Sequence, residues 1–347
     1  MGMRPTADGS LAPERGYLTE RILELPEMKR PEMPDFSIIE YDPLLDSSCM
    51  GPSHWIQICS DIERHYEKYD GFVVIMGTDT MAYASSAVSF MLENLSKTVV
   101  FTGSQIPFFE VYSDARKNLI NSIILSIVSE LPEVCVCFND SLFRANRTSK
   151  VDSGSLNAFN SPNLPPLATL GVAIHERKDL ALAFPRAPFR AQLKLEANVI
   201  VLKLIPGFDD ESIFSLISGS SNLKAIVLEM YGTGNGPSKS ALLDALKLAQ
   251  AKGVIIVAVS QCVRGGVSLD TYSMGREFKE AGVISGGDMT TEACTTKLAY
   301  LFGRLGHPQA VASMIGTNIR GEMSSAENQA RRFFPIHDLS KLVANDI

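Results

Sequence analysis

The apolar positions of this chain fall into short unbroken runs, each closed by a polar turn and followed by residues at helical spacing. The clearest case is 71–95, GFVVIMGTDTMAYASSAVSFMLENL. Residues 72–76 are apolar, rich in β-branched side chains and free of polar alternation, which predicts a strand buried on both faces. Val88, Met91, Leu92 and Leu95 then recur at helical spacing, so a helix follows. Between them stand Gly77, Thr78, Asp79 and Thr80. That is the carboxyl end of one element and the amino end of the next, the crevice where open α/β sheets bind ligands. N–H groups at a helix start favour anions, and these side chains add hydroxyls and a charge. The plain alternative is that Asp79 or Thr80 only caps the helix.

The same alternation continues on both sides. Residues 1–34 are polar and Pro-rich, and read as a surface flap with a short helix at 17–25. Strands are expected at 36–41, 99–102 and 133–138, and helices at 54–69 and 114–128, with polar loops at 43–48 and 103–107 between them. Strand, helix, strand, helix with short loops predicts a parallel sheet covered on both faces. Residues 139–168 break the pattern, being long, polar and turn-rich. A loop of that length in a compact domain is usually functional or disordered; Arg144, Arg147 and Lys150 beside hydroxyl residues favour a functional one. After a connector at 176–197, a second series has strands at 199–205, 224–230 and 254–259, with helices at 211–216, 240–251, 290–301 and 308–315. The prediction is therefore an α/β protein of two domains. The larger, 1–190, carries a parallel or mixed sheet flanked by helices. The smaller, 191–325, carries a flavodoxin- or Rossmann-like parallel sheet, and 326–347 form a tail.

Composition adds exclusions. The 347 residues are 45% hydrophobic and 20% charged, as expected of an ordinary globular protein. A net charge of −7 without a basic tract argues against a nucleic-acid partner. No apolar segment approaches the roughly 20 residues that span a membrane, so a cytoplasmic location is expected. Cys135 and Cys137 share one face of a predicted strand, and no Cys/His cluster has zinc-site spacing, so buried reduced thiols are expected, without metal or cofactor.

Polar loops close the predicted strands at Asp46-Ser47-Ser48, Thr78-Asp79, Gly103-Ser104 and 232–236. Strands of one parallel sheet present their carboxyl ends on one side, so the first three loops converge. Hydroxyls, carboxylates and backbone groups together suit a small zwitterion, an acid for its ammonium and hydroxyls for its carboxylate. The loop from Gly232 superficially resembles a dinucleotide loop, but Pro237 and the missing third Gly break that motif. Lys150, if buried beside Thr78 and Asp79, serves as a base for a hydroxyl; the bland reading is a solvated surface lysine.

These segments also resemble the cytosolic, type I L-asparaginases, over about 2–322. The matches are GFVVIMGTDTMAY at 71–83, SFMLENL at 89–95, TGSQIP at 102–107 and SPNLPPLA at 161–168. DSS at 46–48, YGTGNGPS at 231–238, SQC at 260–262 and RGEM at 320–323 follow in the same order. The resemblance implies hydrolysis of L-asparagine to L-aspartate and ammonia through a threonine acyl-enzyme. It makes Thr78, Asp79 and Lys150 a triad that orients and deprotonates the second-step nucleophile. Asp79 also takes the substrate ammonium and Ser47 its α-carboxylate, with Asp46 and Ser48 beside them. Ser104 lies at the amide end. Asn235 matches a residue that reaches a neighbouring subunit's site, implying a homodimer or homotetramer. The family needs no cofactor.

Three departures carry expectations. The family opens with a strand ending in TGGTIGM, whose second threonine attacks the substrate, whereas Met1-Gly2-Met3 aligns with the last three letters only. The nucleophile then falls just before residue 1, and the chain as it stands is expected to be inactive. A non-catalytic paralogue that binds an amino acid or a partner is the alternative. Met76 replaces a common His, which leaves the chemistry intact. Glu229 stands where some members have an arginine that helps bind asparagine as an activator, so no asparagine-driven cooperativity is expected.

Overall fold

The computed structural model describes residues 1–324 apart from 208 and 238, so the expected tail at 326–347 lies outside the described residues. The chain divides into two compact units, Met1–Leu195 and a second beginning at Glu196.

The first unit opens with a hairpin, β1 (Met3–Pro5) and β2 (Leu11–Pro13), and helix α1 (Tyr17–Glu24). Helix α2 (Pro52–His65), strand β3 (Phe72–Ile75), helix α3 (Met81–Met91) and the short β4 (Leu92–Glu93) follow. Then come β5 (Val99–Thr102), α4 (Ala115–Val128), β6 (Val134–Phe138) and β7 (Ser141–Arg144). The pairs β8 (Ser149–Lys150) with β9 (Phe159–Asn160) and β10 (Ala168–Leu170) with β11 (Ile174–Glu176) complete it, with β12 (Arg190–Ala191) returning to β4. The main sheet runs β11-β10-β7-β6-β5-β3. Its β3, β5 and β6 are parallel and the rest antiparallel, a mixed sheet as the β–α alternation followed by hairpins dictates.

Three expectations are corrected here. Residues 36–41 adopt no strand, although Phe36, like Val73 and Ile75, packs against the core cluster around α4. As a result β3 stands at a sheet edge, and all four of its residues are only half-buried, while β5 and β6 are buried throughout. An apolar run predicts a buried strand only where both flanks are covered. Residues 1–34 are not merely a flap: Met1, Ile22 and Leu25 enter one core cluster with Ala115, Leu119 and Ile123 of α4. Helix α1 does this by placing Tyr17 and Ile22 inward while its charged residues face out. Finally, 139–168 is interrupted by β7, β8 and β9, strands too short to show a period, with turns between them.

A buried ion pair pins the chain where that region leaves the sheet. Arg144 donates to both carboxylate oxygens of Glu133 and to the Leu180 carbonyl, while Leu182 N–H donates to Glu133. Both charged side chains are nearly inaccessible. Cys135 and Cys137 are buried in β6, and burial pushes the Cys137 thiol up to about 12, so both are core thiols.

The second unit holds the parallel sheet β13 (Val199–Lys203), β14 (Ala225–Met230), β15 (Ile255–Ser260) and β16 (Val283–Ser285), in that order. Helices α5 (Asp210–Gly219), α6 (Ser240–Ala251), α7 (Ser273–Glu280), α8 (Thr291–Leu305) and α9 (Pro308–Ile315) accompany it. Ile226, Leu228, Leu242, Leu246 and Phe278 fill its core. No helix among the described residues is long and apolar enough to cross a membrane.

Candidate active site

Parallel pairing of β3 with β5 sets their carboxyl ends side by side, so the loops after them meet. Two glycines allow the contact. A Cβ at Gly77 would lie 2.4 Å from Ser47 Oγ, and one at Gly103 would lie 2.5 Å from the Met76 carbonyl and 3.3 Å from Thr78 Cγ2. The loops at 46–48, 77–80 and 103–106 are thereby packed backbone against backbone, which any larger residue would force apart.

Neither Thr80 nor Asp79 caps the helix that follows. Thr80 precedes α3 but makes no capping bond; its Oγ1 donates instead to the Ser47 carbonyl at 2.7 Å, tying two loops together. Asp79 faces a lysine. Lys150 Nζ lies 2.6 Å from Asp79 Oδ1 and 2.8 Å from Thr78 Oγ1. Thr78 is buried, and the Lys150 side chain is only 18% exposed, against 70% for Asp79. A freely solvated lysine is thus not what the fold makes. Hairpin β8–β9 aims it, pairing Lys150 with Phe159, which is buried on Phe138 of the main sheet.

The remaining loop residues divide by what they touch. Asp46 accepts from Ser48 N and Ser48 Oγ, both at 2.9 Å, so these two side chains close the short turn on each other. Ser47 is buried against Gly77. Ser104 Oγ is buried and has no hydrogen-bond partner among the described residues. Asn235 lies in the second unit, in a turn closed by mutual backbone bonds with Tyr231.

Two residues escaped the sequence reading. Gln105 accepts from Thr78 Oγ1 at 3.2 Å, and Asp114 accepts from the backbone N–H groups of Gln105 and Ile106. Gln105 sits inside the quoted TGSQIP, but nothing in a lone glutamine marks it. Asp114 precedes α4 and reads from sequence as an ordinary helix-start acid. Among the described residues no group of three or more His, Cys, Asp or Glu side chains is arranged to hold a metal ion.

Together the arrangement offers a threonine hydroxyl bonded to a lysine, that lysine paired with a carboxylate, and a vacant serine hydroxyl. Such a set can move a proton at an oxygen nucleophile and hold a small charged molecule. The asparaginase N-terminal domain matches residues 1–181 and the glutaminase/asparaginase C-terminal domain residues 198–315. L-asparaginase 1 of Escherichia coli strain K12 is 42% identical over 330 residues, 93% of this chain and 95% of that protein. A human 60 kDa lysophospholipase is also 42% identical, over 91% of this chain but only 55% of its own length. The crystal structure of L-asparaginase I from Vibrio cholerae superimposes with a TM-score of 0.85 at 40% identity, covering 93% of this chain and 96% of that one. Two domain matches in order, and these identities over nearly the whole length, show that the chain belongs to the asparaginase family.

Proposed function

We propose that the site serves L-asparagine hydrolysis through a threonine acyl-enzyme. The observation that carries the reading is Lys150 Nζ held between Thr78 Oγ1 and Asp79 Oδ1, beside the unpartnered Ser104 Oγ. Asp79, with most of its carboxylate accessible, takes the substrate ammonium. Ser47 and the turn closed by Asp46 and Ser48 take the α-carboxylate, and Ser104 meets the amide. A threonine oxygen bonds to the amide carbon, the C–N bond breaks, and the nitrogen leaves as ammonia with the proton that the threonine gave up. Water, oriented by Thr78 and Lys150, then bonds to the acyl carbon, and the threonine ester breaks to release aspartate. Cytoplasmic residence, supported by six unpaired thiols, and a homodimer or homotetramer in which Asn235 reaches a neighbouring site belong to the same proposal.

In the active form, Lys150→Met is expected to lower kcat for ammonia release from L-asparagine by ~10²–10⁴, with KM within a few-fold. Full activity in that variant would remove Lys150 from the mechanism. A parent that binds asparagine but releases no ammonia would mark a non-catalytic relative. Assays on L-glutamine belong beside these, since one methylene discriminates by only ~1–3 kcal/mol.

The rate curve of the active form is expected to be hyperbolic in asparagine. Glu229 on β14 is partnered inside its own unit: Thr291 Oγ1 donates to it at 2.7 Å, and Lys203 Nζ lies 3.8 Å away. A carboxylate there repels the carboxylate of an activating asparagine. Initial rates over a hundredfold range of substrate check this, and a sigmoidal curve would contradict it.

A further inference from the structure

We infer that Gln105 is a positioning residue for Thr78, and that through it the Thr78 hydroxyl is tied to the turn at 153–155. The inference rests on the amidohydrolase reading of Thr78, and extends it to a residue outside the triad.

A threonine hydroxyl has one hydrogen and two lone pairs. Lys150 Nζ donates to Thr78 Oγ1, which uses one lone pair, so the hydrogen must go elsewhere. Gln105 Oε1, at 3.2 Å, receives it. Which end of a glutamine amide faces a neighbour is assigned from its surroundings, and here they decide it. Gln105 Nε2 donates to two backbone carbonyls, Ser153 at 3.1 Å and Ser155 at 3.2 Å. Carbonyls accept only, so the amide nitrogen faces them and the oxygen faces Thr78. Its backbone is fixed as well, because the Asp114 carboxylate receives Gln105 N–H and Ile106 N–H.

The hydroxyl hydrogen of Thr78 is therefore parked away from Lys150, leaving a lone pair for the lysine and a second for a reacting water. The turn that holds Gln105 is self-supporting. Asp152 Oδ1 accepts from Gly154 N and Ser155 N, and Val151 N donates to the Ala158 carbonyl. It also follows directly on Lys150 in the chain. One turn thus sets both neighbours of the Thr78 oxygen, the lysine through its backbone and the glutamine through its carbonyls. If it opens, both are released together.

Gln105→Met, of similar size, removes donor and acceptor at once. In the 347-residue chain, amide exchange over 151–158 is expected to rise at least ~10-fold with the thermal midpoint nearly unchanged. Unchanged exchange would overturn the link to the turn. In the active form, Gln105→Met is expected to lower kcat for L-asparagine ~10–100-fold at constant KM. Gln105→Glu keeps an acceptor for Thr78 while losing both donors. It should loosen the turn as Met does, yet recover much of kcat. Equal kcat losses in both variants would overturn the orienting role and leave the residue a turn anchor only. Full kcat in Lys150→Met would count against the amidohydrolase reading, and the exchange result would stand apart from it.

Discussion

In the active form, Thr78→Val is expected to lower kcat for ammonia release from L-asparagine by ~10²–10⁴ with KM within a few-fold, the scale of a proton-handling group lost from the transition state. Thr78, Asp79 and Lys150 stand at hydrogen-bonding distance. Thr78 Oγ1 is committed to Lys150 and Gln105, which suits an orienting hydroxyl better than an attacking one. Valine keeps the shape and removes both bonds, so the loss reads the hydroxyl alone. Initial rates of ammonia release by parent and variant measure it, and a variant with the parent's kcat would sink the mechanism.

What was legible in the sequence follows from how each contact is made. The turn after β3 shows itself because strand, polar turn and helix are contiguous, so 71–95 carries its own boundaries. Three strands of the second unit are legible for the same reason, whereas β16, three residues long, is too short to show itself. Lys150 shows only as a candidate, because its partner lies 72 residues away and a hairpin of two-residue strands aims it; the residues leave a solvated surface lysine open, and the resemblance supplies its role. The burial of Met1, Ile22 and Leu25 was hidden by the polar composition around them. The absent strand at 36–41 shows the opposite failure. Local pattern can give a segment strand character, but a strand forms only where a neighbour accepts its backbone bonds.

Lys297→Met is expected to destabilise the second unit by ~3–5 kcal/mol, the range for breaking one side of a buried ion pair. Lys297 stands on α8 and is wholly inaccessible, as is Glu322. Its ammonium donates to the carbonyls of Ile315 and Thr317 and to Glu322 Oε1, at 2.6 Å for the last, so every hydrogen is used. Glu322 in turn accepts from the N–H groups of Ile319 and Arg320. The pair therefore welds the end of α9 and the turn at 317–322 onto α8. Methionine fills the volume but supplies no donor, stranding a carboxylate and two carbonyls away from water. For a chain of this size, ~1 kcal/mol moves the thermal midpoint by about 2–4 °C, so a fall of roughly 6–20 °C is expected. Adding Glu322→Gln to that variant removes the stranded charge while keeping an acceptor for the two N–H groups. The double variant should be more stable than the sum of the single losses allows. Urea titration of the four proteins measures that coupling. A Lys297→Met midpoint within about 2 °C of the parent would show that the buried charge is not held as the geometry requires.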